Sequence, residues 1–315
     1  MSTSSANLKK GGVNWASFLG TGLTGLATWL IVAILCVIIG NILYQGWPNL
    51  SWRFLSSGVE EGMFNVDKSG VLPMIVGTAS RVILMTIFVI PVGVITAIYI
   101  TEYAHTTSPL IRIIRGAVNN LAGVPSVVFG LFGLGFFIGF VGKNIDAISN
   151  PNSGQPIWGK AGLLWASLTL AVMTLPVVIV ATEEALKAIP QGLREASLAL
   201  GATKLQTVLR IVLPQAMPGI MTGGILAVSR AAGEVAPIMF TGAAYFIHGL
   251  PKALSDQFMD LGYHVFILST QSPNIEQTRP LLQATVCVLL LLTFSLNIVA
   301  ILIRARMRQR LRLLQ

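Results

Sequence analysis

The stretch EEALKAIPQGLREASLALGATKLQTVLRIVLP, residues 183–214, connects two long apolar segments and decides how the chain is organised. Pro190 suits the first turn of a helix, and Gly201 suits the end of that helix. Thr203 and Gln206 have the spacing of an N-cap and its capping-box partner, which predicts a second short helix running into the next apolar segment. The stretch is therefore predicted to form two short helices at an angle about Gly201, projecting from a membrane.

This projecting loop suits docking, because Leu193, Ala196 and Leu200 form a small apolar face on the first helix. An amphipathic helix of this kind can insert into a groove on a partner protein. The alternative is a helix that lies on the lipid surface.

The composition is that of an integral membrane protein. Of 315 residues, 54% are hydrophobic and only 10% are charged, whereas soluble domains carry about 25% charged residues. The apolar runs are long and continuous, which favours helices over the short alternating segments of a β-barrel. The two cysteines, Cys36 and Cys287, lie inside apolar runs, so no disulfide framework is expected.

Six apolar segments are each long enough to cross a bilayer, which takes about 20 residues. They cover approximately residues 15–44, 71–100, 111–141, 161–186, 214–246 and 280–303. The first is too long for the apolar part of a signal peptide, and no small-residue cleavage site follows it. We therefore predict an all-α integral membrane protein with six transmembrane helices and two short helices in the projecting loop.

Basic residues are distributed unequally between the two sides of the membrane. If both termini are cytoplasmic, 13 basic residues lie inside and six lie outside, while Arg81 and Arg230 fall within spans. Cytoplasmic loops carry an excess of Lys and Arg, so this asymmetry predicts cytoplasmic termini and a cytoplasmic projecting loop. It also accounts for the net charge of +9 without nucleic acid as a partner. A further role for the arginine-rich C-terminal end is contact with anionic membrane lipid.

Glycine pairs at four-residue spacing occur in two of the predicted spans. They are Gly135 with Gly139, and Gly219 with Gly223. Small residues at this spacing allow helices to approach closely, so both pairs are predicted to mark helix contacts.

The stretch SRAAGEVAP, residues 229–237, places two charges inside the fifth predicted span. A charge at the bilayer centre costs roughly 2.5–3.5 kcal/mol. On a helix, Arg230 and Glu234 share one face and can form an ion pair, which lowers that cost. Charged residues inside membranes usually face a substrate route, so we predict that the pair lines a translocation path. The alternative is an inert pair that fixes helix register. Gly233 leaves room for a ligand, and Pro237 weakens the helix.

Arg81 is the second candidate for the path. A guanidinium stays charged and offers a planar pair of donors to an oxyanion. Because Arg81 lies near the end of its predicted span, the alternative is that its side chain extends to the outer interface.

Other motifs predict no catalytic or metal site. GQPIWGKA, residues 154–161, is close to a phosphate-binding loop but lacks a Ser or Thr after Lys160 and a preceding strand. His105, His248 and His264 are scattered over loops on both sides. We expect no enzyme activity, metal or cofactor in this chain.

The projecting loop resembles the EAA motif of permease subunits in bacterial ABC importers. The matching positions are Glu195, Ala196, Gly201, Ile211, Leu213 and Pro214, with Ser197 in place of the motif's second alanine. The resemblance implies a type I ABC importer permease fold, in which the two short helices are coupling helices that dock on an ATPase subunit. It argues against two other classes, an ion-coupled secondary transporter and a membrane scaffold or sensor.

The resemblance narrows to the permeases of phosphate importers. GVPSVVFGLFGL (residues 123–134) and SRAAGEVAPIMFTGAAYF (residues 229–246) are similar to that group. The second stretch is more similar to PstA-type than to PstC-type subunits. Val235 stands where the group usually has threonine, which questions any role for a hydroxyl there.

This resemblance implies a permease for inorganic phosphate in the cell inner membrane. It further implies a PstC-like second permease, a PstB-like ATPase dimer and a PstS-like extracytoplasmic binding protein as partners. It divides the chain into residues 1–70, with the first span and an external loop, and the transmembrane domain 71–310, with its coupling loop at 187–213. Another oxyanion, such as sulfate or molybdate, and a homodimer of permeases stay open as alternatives.

Overall fold

The computed structural model describes residues 15–59, 64, 69–104, 108–149, 151 and 154–312, and these residues are mainly helical. In place of strands, the described part has isolated bridges, Val59 with Ser69 and Ala243 with Phe258. Three of the basic residues counted above, Lys9, Lys10 and Lys68, lie outside the described residues, and so does His105.

Thirteen α-helices are present in the described residues. They are α1 (Trp15–Gly46), α2 (Trp52–Ser56), α3 (Leu72–Ile98), α4 (Pro109–Leu121), α5 (Ser126–Phe132), α6 (Lys143–Ser149), α7 (Leu163–Lys187), α8 (Gln191–Ala199), α9 (Lys204–Thr207), α10 (Leu213–Ala232), α11 (Ala236–Thr241), α12 (Leu261–Thr270) and α13 (Ile275–Arg312). Wider π-helical segments continue α3, α5 and α9, at Tyr99–Tyr103, Gly133–Gly142 and Val208–Val212, and a 3-10 turn follows α1 at Trp47–Asn49.

Six helices of the described part are long and apolar enough to cross a membrane, as predicted. They cover Leu19–Asn49, Leu72–Tyr103, Ser126–Ser149, Leu163–Lys187, Lys204–Ala232 and Ile275–Gln309. The shorter apolar helix α12 is absent from the sequence prediction, because its ten residues are too few for a span.

The third predicted span, residues 111–141, is wrong at its start. The structure separates α4 from the span, which begins at Ser126. Pro125 has no amide hydrogen and disfavours helix in the residue before it, so α4 cannot continue into α5. Helix α4 is instead amphipathic, with Ile111 buried and Arg112 exposed.

The fifth predicted span, residues 214–246, is wrong as one continuous helix. Helix α10 ends at Ala232, and α11 begins only after a break at residues 233–235. Pro237 cannot donate a hydrogen bond to the carbonyl of Gly233, and its ring would collide with that carbonyl in a continuous helix. The break therefore lies inside the stretch that carries the two intramembrane charges.

The start of the fifth span also differs from the predicted boundary at Pro214. The helical chain runs without interruption from Lys204 through the π-helical segment into α10. A wider turn directly before Pro214 relieves the collision between its ring and the preceding turn. Helix α9 and the fifth span consequently form one continuous helical segment.

Helix α7 is the centre of the molecule. It packs against α3, α4, α5, α10 and α11. Of the 18 consecutive residues that are its most apolar stretch, 67% are buried. Helix α1 is the opposite extreme, since none of the residues in its most apolar stretch is buried. It packs against α13. The main core lies between α3, α7 and α10, around Met85, Leu170 and Ala227.

The predicted contact at Gly219 and Gly223 is confirmed. A Cβ on Gly223 would lie 2.7 Å from the Ala181 Cβ, and a Cβ on Gly219 would meet Ala185. Both glycines therefore let α10 touch α7 directly.

The predicted contact at Gly135 and Gly139 is wrong for the residues described. A Cβ on Gly135 would have nothing within 4 Å, and one on Gly139 would meet only its own helical segment. Close contacts of this span lie instead at Gly130, which faces α11, at Gly133, which faces both α7 and α11, and at Gly142, which faces Trp158. Spacing alone could not show which glycines turn toward a neighbour.

Gly223→Leu is expected to destabilise the protein by about 1–3 kcal/mol, because a leucine cannot be accommodated against Ala181 without moving α10 from α7. Gly135→Leu is the matched control and should change stability by less than about 0.5 kcal/mol. Thermal unfolding of the two purified variants measures the difference. Equal unfolding temperatures would contradict the contact.

Candidate functional site

The broken end of α10 carries the predicted charge pair. Arg230 lies in the last turn, and Glu234 lies in the break, where its amide donates to the Ala231 carbonyl at 3.3 Å. Arg230 Nε and Glu234 Oε1 are 3.5 Å apart, so the ion pair forms, although its members do not share one continuous helix. The side chains are 41% and 22% exposed. A Cβ on Gly233 would meet nothing within 4 Å, so there is room beside this open pair.

Arg81 is wholly enclosed, with 0% of its side chain exposed. Its Nε donates to Asp260 Oδ2 at 2.6 Å, its Nη1 to the Ala231 carbonyl at 2.7 Å, and its Nη2 to the Ala232 carbonyl at 3.1 Å. The alternative that Arg81 extends to the outer interface is therefore wrong. Its contact with a transported anion stays a prediction, since in this conformation the guanidinium faces protein acceptors.

Asp260, the partner of Arg81, is a residue that sequence reasoning missed. Its Oδ1 accepts hydrogen bonds from the amides of Gly262 at 2.9 Å and Tyr263 at 3.2 Å, which makes it the N-cap of α12. Its Oδ2 also accepts from Thr78 Oγ1 at 2.8 Å. An aspartate directly before an apolar run is a helix-start signal that could have located α12. Nothing near Asp260 in the sequence indicates Arg81 as its partner.

The coupling loop folds into the two predicted short helices, α8 and α9. Thr203 and Gln206 form the capping box: each side chain accepts from the other residue's amide, at 3.3 and 2.9 Å. Gly201 ends the first helix as predicted, and its φ of +84° is the left-handed conformation that glycine commonly adopts there. The hydroxyls of Ser197 and Thr207 lie 2.9 Å apart and join the two helices. The serine that departs from the EAA motif thus makes a contact that alanine could not.

The EAA positions separate into an exposed group and a half-buried group. Glu195, Ala196 and Gly201 are exposed at the projecting end, close in sequence to Leu200, which is 90% exposed. The half-buried positions are Ile211, Leu213 and Pro214. The first group is free to touch a partner, whereas the second packs at the base of the loop.

Arg194 connects the coupling loop to the second and fourth spans. These contacts were not predicted from the sequence. Arg194 Nη2 lies 2.8 Å from Glu102 Oε1, at the end of the second span, and the side chains are 13% and 8% exposed. It also donates to the Leu186 and Ile189 carbonyls, at 2.8 Å each. Arg194 and Glu102 are 92 residues apart, so no local signal predicts their pairing.

Residues 154–161 are engaged within the protein. The amides of Trp158 and Gly159 donate to the Asp146 carboxylate at 2.6–3.0 Å. Across the described residues, no group of three or more His, Cys, Asp or Glu side chains could hold a metal ion. The broken end of α10 and the coupling loop are therefore the two candidate functional regions.

Comparison with known proteins identifies a family. The family model for the binding-protein-dependent transport system inner membrane component matches residues 89–312. The probable ABC transporter permease protein YqgI of Bacillus subtilis (strain 168) is 33% identical over 226 residues, or 71% of this chain and 69% of that protein. The phosphate transport system permease protein PstA 1 of Mycobacterium tuberculosis (strain ATCC 25618 / H37Rv) is 34% identical over 213 residues, or 66% of this chain and 61% of that protein.

A solved structure has the same fold. The crystal structure of a bacterial alginate ABC transporter, in complex with alginate pentasaccharide-bound periplasmic protein, contains a chain that matches with a TM-score of 0.60 at 13% identity. The match covers 95% of this chain and 96% of that chain. The protein has the type I ABC importer permease fold and belongs to the family of binding-protein-dependent transport system inner membrane components, as a multi-pass permease subunit of an ABC importer.

Proposed function

We propose that this chain is a permease subunit of an ATP-driven importer of inorganic phosphate, and that Arg230 and Glu234 line its translocation path. The observation that carries the proposal is the open ion pair at the break in α10. The similarity to a phosphate transport system permease protein supports the substrate. Sulfate or molybdate is the alternative, because this fold also serves a transporter of a different substrate, alginate.

The depth of Arg230 in the membrane supports a role in transport. The basic C-terminal end begins at Arg304, whose Nη1 donates to Thr222 Oγ1 of α10 at 3.0 Å. A long basic side chain near a span's end marks the membrane surface. Arg230 lies about 12 Å further along α10 at the helical rise. A hydrocarbon core is about 30 Å thick, so this depth favours the interior of the membrane over its surface.

The chemistry of the open pair suits an oxyanion. A guanidinium donates two parallel hydrogen bonds and keeps its charge at physiological pH. The 3.5 Å separation between Arg230 and Glu234 exceeds the roughly 2.7–2.9 Å of a charge-assisted hydrogen bond, so an anion can replace Glu234 without breaking a closed pair.

Two roles are open for Glu234. In the first, it neutralises Arg230 between transport events, which keeps release of the anion possible. In the second, it accepts a hydrogen bond from a protonated phosphate, which sulfate cannot donate near neutral pH.

The coupling loop supports docking on an ATPase. Leu200 is 90% exposed and is accompanied by the exposed Glu195, Ala196 and Gly201. We propose that a PstB-like ATPase dimer covers this surface on the cytoplasmic side, where both termini also lie. A PstC-like permease and a PstS-like binding protein complete the importer. The proposed transmembrane domain spans residues 71–310.

One reconstitution experiment tests the substrate and the class together. The complex purified through this chain is expected to contain an ATPase and a second permease, and to import labelled phosphate into proteoliposomes only with ATP. Excess sulfate or molybdate should not reduce that import. ATP-independent uptake would indicate a secondary transporter, and uptake of sulfate or molybdate instead of phosphate would indicate another oxyanion.

Thiol labelling tests the proposed orientation. In a Cys36→Ala and Cys287→Ala background without the ATPase subunits, Leu200→Cys is expected to react with an impermeant reagent only from the cytoplasmic side. Gly154→Cys should react only from the outside. The ground is the inequality of 13 to six basic residues. Labelling of Leu200→Cys from the outside would contradict both the orientation and the docking surface.

Gly201→Val is expected to leave the protein in the membrane but to uncouple ATP hydrolysis from uptake. A Cβ on Gly201 would meet nothing within 4 Å, so the effect comes from the φ of +84°, which costs a β-branched residue about 1–2 kcal/mol. Gly192→Val is the matched control, since Gly192 lies inside α8 with equally open surroundings. Normal phosphate-dependent ATP hydrolysis in Gly201→Val would show that the left-handed turn is dispensable for coupling.

A further inference from the structure

We infer that Arg81, Thr78 and Asp260 form an interior clamp, which joins the broken end of α10 to the start of α12 and thereby holds Arg230 and Glu234 in position. The three clamp residues act as positioning residues, and for Arg81 this role replaces the predicted contact with the transported ion. The inference rests on the proposed function only for the role of the open pair; the clamp is defined by contacts within the chain.

The broken end of α10 needs hydrogen-bond donors. The last carbonyls of a helix have no partner within that helix, and the interior of a bilayer offers no water in exchange. Arg81 donates to the Ala231 and Ala232 carbonyls at 2.7 and 3.1 Å. Because the guanidinium is planar and rigid, the two bonds fix the direction of the helix end as well as its distance.

The start of α12 is tied to the same guanidinium. Asp260 accepts from Arg81 through Oδ2 at 2.6 Å, and from the first amides of α12 through Oδ1. Thr78 donates to Asp260 at 2.8 Å and accepts from the Leu261 amide at 3.0 Å. Thr78 and Arg81 are three residues apart on α3 and therefore share one face. Three segments of the chain thus meet in one buried cluster.

The clamp lies next to the open pair along the backbone. Arg230 directly precedes the first clamped residue, Ala231. The carbonyl of Ala231 also accepts from the Glu234 amide at 3.3 Å. A displacement of this carbonyl therefore moves both members of the open pair.

The two ion pairs differ in how accessible they are to an anion. The pair between Arg81 and Asp260 spans 2.6 Å with 0% exposure, whereas the pair between Arg230 and Glu234 spans 3.5 Å with 41% and 22% exposure. An anion could reach Arg81 only by displacing an enclosed carboxylate that also caps α12. The closed pair consequently holds position, and the open pair is left available to the anion.

A thiol at the break reports on the clamp. In the complete transporter with Cys36→Ala and Cys287→Ala, Gly233→Cys introduces a side chain where a Cβ meets nothing within 4 Å. The rate of its reaction with a small maleimide is measured per assembled complex, in proteoliposomes without phosphate. A purely structural role of the clamp would lower the amount of complex and leave this rate unchanged.

The test variants are Arg81→Lys, Asp260→Asn and Thr78→Val. Lysine keeps the charge, but its donors share one nitrogen and cannot replace the planar fork whose three nitrogens reach Asp260 and both carbonyls. Asparagine keeps the shape of Asp260 but removes its charge. Ser229→Ala is the matched control, because it removes a 2.6 Å bond to Asn297 from the same end of α10 and leaves the clamp intact.

We expect the labelling rate to change about tenfold in Arg81→Lys and Asp260→Asn, the factor that corresponds to losing one hydrogen bond to a charged group. Thr78→Val should change it less, by about threefold, because Asp260 keeps its hydrogen bonds from Arg81 and from the first amides of α12 when the Thr78 hydroxyl is lost. Because valine has nearly the same shape as threonine, Thr78→Val still tests the clamp if Arg81→Lys and Asp260→Asn fail to assemble. Ser229→Ala should react like the parent.

Parent-like labelling in the variants that assemble overturns the inference. If Arg81→Lys then also needs more phosphate for half-maximal uptake, Arg81 contacts the anion instead. Because the labelling rate is measured without phosphate, it tests the clamp independently of the proposed function. The proposed function fails separately, if the parent transporter does not import phosphate.

Discussion

Arg230→Ala is expected to lower phosphate uptake by about a hundredfold or more while the importer still assembles. A guanidinium that binds an oxyanion with both arms makes two charge-assisted hydrogen bonds, each worth about 1.5–3 kcal/mol. Because the side chain is 41% exposed and its contact with Glu234 spans 3.5 Å, its removal leaves the packing of α10 intact. The loss should therefore appear in transport and not in the yield of complex.

Three further variants decide whether Arg230 acts through its geometry or only its charge. Arg230→Lys should recover little uptake, because an ammonium group cannot replace the planar fork. Arg53→Ala removes one exposed positive charge from α2 and should transport normally. If Arg230→Ala combined with Glu234→Ala transports like the parent, the pair is an inert couple that fixes helix register.

Arg194→Ala is expected to produce the second largest effect, a loss of phosphate-stimulated ATP hydrolysis and a fall in uptake of about tenfold or more. The substitution leaves Glu102, whose side chain is 8% exposed, without its partner at 2.8 Å. It also removes the donor to the Leu186 and Ile189 carbonyls at the end of the central helix. A lost bond to a charged, largely buried group is worth at least about a factor of ten. The first coupling helix then no longer moves together with the second span.

Arg210→Ala is the matched control for this effect. Arg210 has the same charge and lies in the same loop, but it is exposed, so its loss should leave coupling unchanged. Arg194→Lys should retain part of the coupling, since it keeps the charge opposite Glu102. Parent-like stimulation of ATP hydrolysis in Arg194→Ala would show that the coupling helix transmits motion without this contact.

Structural features that depend only on residues close together along the chain were predictable from the sequence. The apolar runs predicted six spans, because a helix must cover the hydrocarbon core with apolar side chains. Thr203 with Gln206 predicted a capping box, and Gly201 predicted the end of the first short helix, and both are present. Each of these signals acts within a few residues of backbone, where steric and hydrogen-bonding preferences do not depend on the rest of the fold.

The interruptions inside spans were only partly predictable. Pro237 indicated a weakened helix, yet the full break at residues 233–235 is stable only because another helix supplies donors to the freed carbonyls. Pro125 separates α4 from the third span, whereas Pro91 and Pro176 lie inside continuous helices. A proline removes one hydrogen bond in every case, and the packing around it decides whether the helix ends.

The sequence by itself determined the membrane class, the number of spans, the two short helices of the coupling loop and the presence of intramembrane charges. Only the tertiary structure decided how those charges pair. Arg81 and Asp260 are 179 residues apart, and Arg194 and Glu102 are 92 apart. Whether an arginine is enclosed with a carboxylate or left open toward a path depends on which helix faces meet. Those faces are selected by packing across the whole chain, and a long side chain has the same local preferences in either setting.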